Sequence, residues 1–317
     1  MLIIWFLILI VSLIVLLKSA DFFIDNAVVI GNKLNIPSFV LGATIIAFGT
    51  SLPELAVGIS AIFKGEPSII SGTVIGSNIS NIFFITGVAI ALSSGFKVDF
   101  KKIAGPILIL LSVTFLTSFF LWDNEYTLTE GIISVVLLLA YIAYIVIFPS
   151  PEDKEEQEDN FSYKTILILI ASGFGIWLGA EYIVVSITHI AKAIGVNEDV
   201  ISLTLLALGT SLPELAVTIS AAKKKKFALV LGNVVGSNIF NSLCVLGIPT
   251  VVGYFSNHFY VIEDAVFTTF SIPLMLLATV LLFTLSLLKT TPKFFGYFFL
   301  GLYIFFIAGT FLKFSFF

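Results

Sequence analysis

Residues 44–61, TIIAFGTSLPELAVGISA, recur almost unchanged as residues 204–221, TLLALGTSLPELAVTISA. The two stretches align without gaps, and 14 of 18 positions are identical at an offset of 160. A second pair keeps the same offset, because GTVIGSNISNIFFITG at 72–87 matches GNVVGSNIFNSLCVLG at 232–247. Self-similarity at a fixed offset indicates that a whole half of the chain is duplicated.

The composition indicates that most of the protein surface faces lipid. Of 317 residues, 58% are hydrophobic and 11% are charged, and the mean hydropathy is +1.12, outside the range of soluble domains. Apolar stretches of about 18 residues or more recur along the chain. They are continuously apolar, whereas barrel strands alternate between apolar and polar residues. The sequence therefore predicts an all-α integral membrane protein.

Ten apolar segments are predicted, five on each side of an acidic stretch. Their approximate bounds are 2–30, 37–63, 68–92, 103–121, 128–148, 165–193, 199–222, 227–253, 262–288 and 293–315. We therefore expect a first five-helix repeat at 1–148 and a second at 164–317. Residues 149–163, with six carboxylates and one lysine, are predicted to form an aqueous linker.

An odd number of spans in each half reverses the membrane polarity of the second half, so the repeats are predicted to be inverted. The protein has 16 lysines and no arginine, and cytoplasmic loops hold the basic excess. With the N-terminus outside, twelve lysines face the cytoplasm, three face outward and Lys18 is uncounted. The cytoplasmic set is Lys33, Lys97, Lys101, Lys102, Lys154, Lys164, Lys223, Lys224, Lys225, Lys226, Lys289 and Lys293. This predicts a plasma-membrane protein with extracellular termini and a cytoplasmic linker.

Two glutamates, Glu54 and Glu214, lie in the middle of apolar segments. An ionised carboxylate at such a depth costs roughly 2.5–3.5 kcal/mol on insertion scales, so something must compensate it. Pro53 and Pro213 precede these glutamates and predict a kinked or broken helix. The freed carbonyl groups and the hydroxyls of Gly-Thr-Ser are hard oxygen ligands that suit Na⁺ or Ca²⁺. Purely structural glutamates and a packing kink are the alternatives.

The motif Gly-Ser-Asn-Ile-x-Asn occurs at 76–81 and at 236–241. Its serine and its second asparagine are four residues apart, so they share one helix face. We expect these residues to present oxygens to the same cations: Ser77 with Asn81, and Ser237 with Asn241. Asn78 and Asn238 lie off that face and are expected to tie the broken helix together. Hydrogen bonding between helices is the structural alternative.

A third acidic pair, Asp21 and Glu181, keeps the same offset of 160. Structural pairing is the favoured interpretation of these two residues, and the lining of access paths is the alternative.

The two GTSLPEL segments and two GSNIxN segments resemble the alpha-repeats of the sodium/calcium exchanger family, prokaryotic type, within the calcium/cation antiporter superfamily. The resemblance covers both halves and all ten predicted spans. It implies a secondary antiporter that works by alternating access and uses Na⁺ entry to export Ca²⁺. It implies neither an enzyme activity nor a cofactor besides the transported ions. No nucleic-acid partner is expected, and one chain is expected to suffice.

Residue roles follow from the resemblance at matching positions. It implies that Glu54, Glu214 and the carbonyl groups of Thr50 and Thr210 surround Ca²⁺. It also implies flanking Na⁺ sites formed by the hydroxyls of Ser51, Ser77, Ser211 and Ser237 and the carbonyls of Ala47 and Ala207.

Asn241 departs from several relatives, which carry aspartate at that position. The site then has two acidic groups where those relatives have three, which argues against K⁺ cotransport. Two glutamates balance one Ca²⁺, whereas three Na⁺ leave a surplus positive charge. This arithmetic permits an electrogenic cycle of three Na⁺ per Ca²⁺, as the family implies.

Three other functions remain open from the sequence. Exchange of H⁺ for Ca²⁺ is the alternative within the superfamily. An ion channel and an intramembrane enzyme with paired carboxylates belong to other classes. The sequence has no nucleophile or base motif beside the glutamates, so duplicated oxygen-rich motifs predict binding better than they predict chemistry.

Overall fold

Helices make up the regular structure of the described part of the chain. The computed structural model describes residues 2–64, 68–93, 100–123, 125–148, 161–194, 209–256, 267–288 and 290–314. In the first half these helices are α1 (Leu2–Lys33), α2 (Ser38–Thr50), α3 (Leu52–Lys64), α4 (Ser68–Ile79, Ser80–Ile85 and Thr86–Leu92 in continuous succession), α5 (Phe100–Phe120) and α6 (Leu128–Ile147).

The second half repeats this order. Its described helices are α7 (Tyr163–Ala193), α8 (Leu212–Lys223), α9 (Phe227–Phe240, Asn241–Val245 and Leu246–Phe255 in continuous succession), α10 (Phe267–Ser271 followed by Ile272–Ser286) and α11 (Lys293–Phe314). A capping box at Ser162 begins α7.

Eight of the described helices are long and apolar enough to cross a membrane. Helices α2 and α3 pass the same test as a pair and bend by 42° at a short break, so the described crossings number nine if this pair is one span. The break falls at Ser51, where the sequence predicts it, because Pro53 cannot donate the hydrogen bond that would continue α2. Of the predicted segment 199–222, only the part from residue 209 is described. Most of the predicted linker and the start of the predicted segment 262–288 also lie outside the described residues.

The helices that carry the repeated motifs occupy the core of the bundle. The spanning stretch of α9 is 100% buried and that of α4 is 83% buried, whereas that of α1 is only 11% buried. Long apolar side chains on α1 therefore form much of the surface that lipid covers, as the composition predicts.

Two helix crossings follow the sequence repeat. Helix α4 meets α11 at Gly87 and Gly296, and α9 meets α6 at Gly247 and Gly131. A Cβ on Gly296 would lie 2.8 Å from the carbonyl oxygen of Gly87, and one on Gly247 would lie 3.1 Å from that of Gly131. Small residues permit this close approach in membranes. The duplication therefore extends from the sequence to the packing of helices on one another.

Both copies of the second motif run into a π-helical segment. These segments are Ser80–Ile85 in α4 and Asn241–Val245 in α9, and Gly42–Ile46 in α2 is also π-helical. These wider turns were not predicted from the sequence. Neither motif segment contains proline or glycine, so nothing in its composition marks the wider turn. Such turns occur frequently at functional sites.

Candidate cation-binding site

The two glutamates lie in the core at the start of short helices. Glu54 is the third residue of α3 and Glu214 is the third residue of α8, and each is only 1% exposed. The N-terminal end of a helix carries partial positive charge, which favours a carboxylate there. The break before each glutamate therefore positions and partly compensates its side chain.

A direct contact joins the two copies of the first motif. Ser51 Oγ donates a hydrogen bond to Glu214 Oε1 at 3.1 Å. The charge of Glu214 also acts on Glu54, because the two buried carboxyl groups are close together. The two carboxylates therefore belong to one site, in which like charges repel unless a cation or a proton offsets them.

The second motif contributes from the helices beside the glutamates. Ser77 Oγ lies 3.4 Å from Thr210 Oγ1, a contact between α4 and the residues that precede α8. All eleven described residues of the predicted site are buried: Ala47, Thr50, Ser51, Glu54, Ser77, Asn81, Thr210, Ser211, Glu214, Ser237 and Asn241. Ala207 lies outside the described residues.

Many polar atoms of this group have no hydrogen-bond partner within the described ranges. They are Glu54 Oε1 and Oε2, Glu214 Oε2, Ser211 Oγ, Ser237 Oγ, and the amide oxygen and nitrogen of both Asn81 and Asn241. Each unsatisfied buried group costs about 1–3 kcal/mol, and charged groups cost more. The arrangement is therefore suited to hold a cation that oxygen atoms coordinate from several sides.

The carbonyl group of Ala47 differs from these atoms because it already has partners. It accepts the backbone N–H of Ser51 at 3.0 Å and the hydroxyl of Thr50 at 3.3 Å. Its predicted role in Na⁺ binding stays a prediction, and it would require at least one of these bonds to lengthen.

The site is not symmetric although its sequence is duplicated. Ser51 reaches Glu214, whereas the equivalent Ser211 makes no hydrogen bond to Glu54 in the described structure. Ser77 contacts Thr210, whereas Ser237 has no partner there. Equal residues therefore take unequal roles, which the sequence alone cannot reveal.

The expectation for Asn78 and Asn238 needs correction. Asn78 Nδ2 donates to Ser242 Oγ at 2.9 Å and lies 3.5 Å from the carbonyl oxygen of Asn238, and Asn238 Nδ2 bonds to Val234 in its own helix. Asn78 thus ties α4 to α9, and neither bond reaches the broken helix. Ser242 was not predicted, because its equivalent Ile82 is apolar and the repeat gives it no signal.

The chemistry of the site follows from its oxygen-rich composition. Within the described ranges, no group of three or more His, Cys, Asp or Glu residues could hold a metal ion. The two carboxylates are instead surrounded by hydroxyl and amide groups. Such oxygen donors suit hard cations and do not suit soft transition metals.

The protein is a multi-pass helical bundle, and its core holds two buried carboxylates among neutral oxygen atoms. These features define an integral membrane protein with a polar site at its centre. The chain belongs to the sodium/calcium exchanger family, described as "Sodium/calcium exchanger protein", which matches residues 4–148 and 164–312. The predicted family is therefore confirmed.

Individual relatives agree with this assignment. Sodium/calcium exchanger MaX1 of Methanosarcina acetivorans is 34% identical over 286 residues, with 77% of this chain and 81% of that protein covered. Putative antiporter CaxA of Alkalimonas amylolytica is 35% identical over 252 residues, covering 76% and 79%. A structure of the sodium-calcium exchanger NCX_Mj has a TM-score of 0.85 at 30% identity and covers 98% of this chain and 100% of that one. The protein is accordingly a cation/Ca²⁺ antiporter of a transporter family.

Proposed function

We propose that this protein exchanges Na⁺ for Ca²⁺ by alternating access, exports Ca²⁺ and moves net charge in each cycle. The observation that carries the proposal is the buried pair Glu54 and Glu214, held in one site by the bond from Ser51. Two carboxylates neutralise one Ca²⁺, whereas three Na⁺ at the same site would carry one surplus positive charge. This difference would make the exchange sensitive to voltage.

The proposed Ca²⁺ ligands are the carboxylates of Glu54 and Glu214 and the carbonyls of Thr50 and Thr210. The proposed Na⁺ ligands are Ser51, Ser77, Ser211, Ser237, Ala47 and Ala207. Asn81 and Asn241 would contribute amide oxygens. The unpartnered buried oxygens support these roles for Ser211, Ser237 and both asparagines.

We further propose ten spans in two inverted repeats, 1–148 and 164–317, joined by a cytoplasmic linker at 149–163, with both termini extracellular. The lysine distribution and the equivalent glycine crossings support this arrangement. A contact between α5 and α10 adds to it, since Thr279 Oγ1 lies 3.3 Å from Thr114 Oγ1, 165 positions away. One chain would suffice, because both halves contribute to a single site.

The direct test is ⁴⁵Ca²⁺ uptake into proteoliposomes loaded with Na⁺ and diluted into Na⁺-free medium. We expect uptake that requires internal Na⁺ and changes when K⁺ and valinomycin clamp the voltage. Liposomes loaded with K⁺ in place of Na⁺ are the matched control. Uptake driven only by an imposed pH gradient would replace this proposal with H⁺/Ca²⁺ exchange, and uptake independent of any counter-ion would contradict antiport.

The Ser237→Ala variant tests whether Ser237 binds an ion or only packs against its neighbours. Ser237 Oγ is fully buried and has no partner among the described residues, so its removal breaks no described protein hydrogen bond. We expect half-saturation by Na⁺ to rise about tenfold, as for loss of one contact to a charge, while thermal stability is kept or increased. Initial rates at graded Na⁺ and a melting curve in detergent measure both effects.

Ser242→Ala is the matched control for that experiment. Ser242 lies five residues further along the same helix, α9, but accepts a hydrogen bond from Asn78. Its loss should lower stability by about 1 kcal/mol and leave the Na⁺ dependence unchanged. A Ser237→Ala protein with unaltered Na⁺ half-saturation would remove Ser237 from the proposed ligands.

A further inference from the structure

A polar pair lies at the interface of α8 and α9, one helical turn beyond Glu214. Asn233 Nδ2 of α9 donates a hydrogen bond to Thr218 Oγ1 of α8 at 3.2 Å. Thr218 follows Glu214 by four residues, so both lie on one face of α8. Asn233 precedes Ser237 by four residues and shares its face of α9 in the same way. Because a short turn makes the two helices antiparallel, the pair extends the polar face of the cation site outward.

The amide oxygen of Asn233 is unused in the described structure. Asn233 is only 1% exposed and Thr218 is fully buried, yet Asn233 Oδ1 has no hydrogen-bond partner among the described residues. The hydroxyl of Thr218 has two lone pairs and accepts one described bond. A buried polar atom without a partner indicates that a group outside the protein chain satisfies it. The pair therefore offers two neutral oxygens to such a group.

Apolar side chains close the interface on the side away from Glu214. The four buried residues of this apolar layer are Ala221 and Ala222 on α8 and Leu229 and Val230 on α9. Helix α2 covers the same level, because a Cβ on Gly42 would lie 2.9 Å from the backbone nitrogen of Asn233. A group bound by the polar pair would therefore lie between this apolar layer and the central carboxylates.

The first half of the chain does not repeat the pair. At the offset of 160, Gly58 corresponds to Thr218 and Thr73 corresponds to Asn233. Gly58 has no side-chain oxygen, and a Cβ there would lie 3.1 Å from Pro249 Cγ. Thr73 Oγ1 is buried without a partner in the described ranges, but it is a single hydroxyl. The two side-chain oxygens at this level therefore come from the second half.

Charge and ligand type favour Na⁺ as the bound group. A step of four residues places the pair roughly 6 Å along the helix from Glu214, where a carboxylate in a protein interior still attracts a cation. Hydroxyl and amide oxygens are hard ligands, whereas Ca²⁺ takes about six to eight oxygens and favours carboxylates. Three Na⁺ beside two carboxylates would repel one another, and a position one turn away lowers that repulsion.

We propose that Thr218 and Asn233 form an outer Na⁺ site. One Na⁺ would bind Asn233 Oδ1 and Thr218 Oγ1, and water would complete its coordination. The inference rests on the proposed exchange of Na⁺ for Ca²⁺ and adds a position for Na⁺ beyond the duplicated motifs. With the proposed topology, this position lies on the cytoplasmic side of the carboxylates. Because it belongs to one half, it makes the two sides of the cation site unequal for Na⁺.

Stabilisation of the purified full-length protein by Na⁺ tests the outer site without transport. Ions that bind only the folded state raise its stability with the logarithm of their concentration, and the slope near saturation increases with the number of ions bound. Melting temperatures in detergent would be measured at graded Na⁺, with choline as the replacement at constant ionic strength. We expect Asn233→Leu and Thr218→Val to lower this slope by the equivalent of one Na⁺ and to leave stabilisation by Ca²⁺ unchanged.

Thr73→Val is the matched control, because it makes the same chemical change as Thr218→Val at a buried threonine of the equivalent interface. We expect its Na⁺ slope to equal that of wild type. Loss of the bond between Thr218 and Asn233 lowers the melting temperature at every Na⁺ concentration. The slope therefore reports on Na⁺ even in a variant that is less stable.

Asn233→Asp is the complementary variant, because it places a carboxylate where the amide oxygen would bind Na⁺. We expect stabilisation by Na⁺ to begin at a concentration about tenfold lower than in wild type, since contacts between opposite charges are stronger than contacts to a neutral oxygen. An asparagine with a purely structural role would give only a loss of stability on this change.

Unchanged slopes in Asn233→Leu and Thr218→Val, or an equal loss in Thr73→Val, would overturn the outer site and mean that water alone satisfies Asn233 Oδ1. Uptake of ⁴⁵Ca²⁺ into Na⁺-loaded proteoliposomes distinguishes this outcome from failure of the proposed function. If wild type shows no Na⁺-driven uptake while both variants lose the slope of one ion, exchange is contradicted and the outer site stands. If uptake is normal and the slopes do not change, exchange stands and the outer site is wrong.

Discussion

Glu54→Gln is expected to abolish Ca²⁺ transport. The substitution nearly keeps the shape of the side chain but removes one of the two charges that would balance Ca²⁺. Neither carboxylate oxygen of Glu54 has a hydrogen-bond partner within the described structure, so the loss of charge breaks no described bond. We expect ⁴⁵Ca²⁺ uptake at least a hundredfold below wild type, with folding retained in gel filtration.

Glu125→Gln is the matched control for the Glu54 variant. Glu125 is an exposed residue between α5 and α6, and the same chemical change there should leave uptake unaltered. Glu214→Gln should behave like Glu54→Gln, although it also weakens the bond from Ser51. Normal exchange in either variant would refute the proposed centre of the site.

Gly236→Ala is expected to cause a large loss of stability. A Cβ on Gly236 in α9 would lie 2.6 Å from both the Cα and the carbonyl oxygen of Ala43 in α2. Backbone atoms cannot rotate away, so α2 and α9 must separate. Overpacking of this kind costs about 3 kcal/mol at the upper end of its usual range. Melting in detergent, followed as the fraction that stays monodisperse after heating, measures the effect.

Gly301→Ala is the control for added volume in a helix. No described atom lies within 4 Å of a Cβ at Gly301, and alanine is the better helix former by about 1 kcal/mol. We expect equal or slightly greater stability than wild type. A Gly236→Ala protein that melts like Gly301→Ala would mean that the close approach of α2 and α9 is not needed for stability.

The spanning helices and the broken helix could be predicted because the local sequence determines them. Continuous apolar runs indicate spanning helices wherever the chain provides them. Pro53 predicts a broken helix because its ring and missing N–H act at one place regardless of tertiary context. The repeat at an offset of 160 predicts that residues such as Glu54 and Glu214 take part in a common site.

Contacts that differ between the two copies of a motif could not be predicted in this way. The motif around Ser51 is identical to that around Ser211, yet only Ser51 reaches a glutamate in the described structure. A duplicated sequence is compatible with both contacts, so it does not indicate which one forms. The hydrogen bond from Ser220 to Asp21 could not be predicted for the same reason.

The π-helical turns at Ser80–Ile85 and Asn241–Val245 have a consequence for how this sequence can vary. A π turn holds one more residue than the α turn it replaces, so the chain length of each segment sets the angular position of everything that follows. Deleting one residue there would let the wide turn close as an ordinary α turn, which would displace residues of the segment such as Asn81 or Asn241. Point changes in these segments leave the wide turn in place, whereas the loss of a residue removes it. We therefore expect functional variants of this protein to preserve the lengths of both segments more strictly than their side chains.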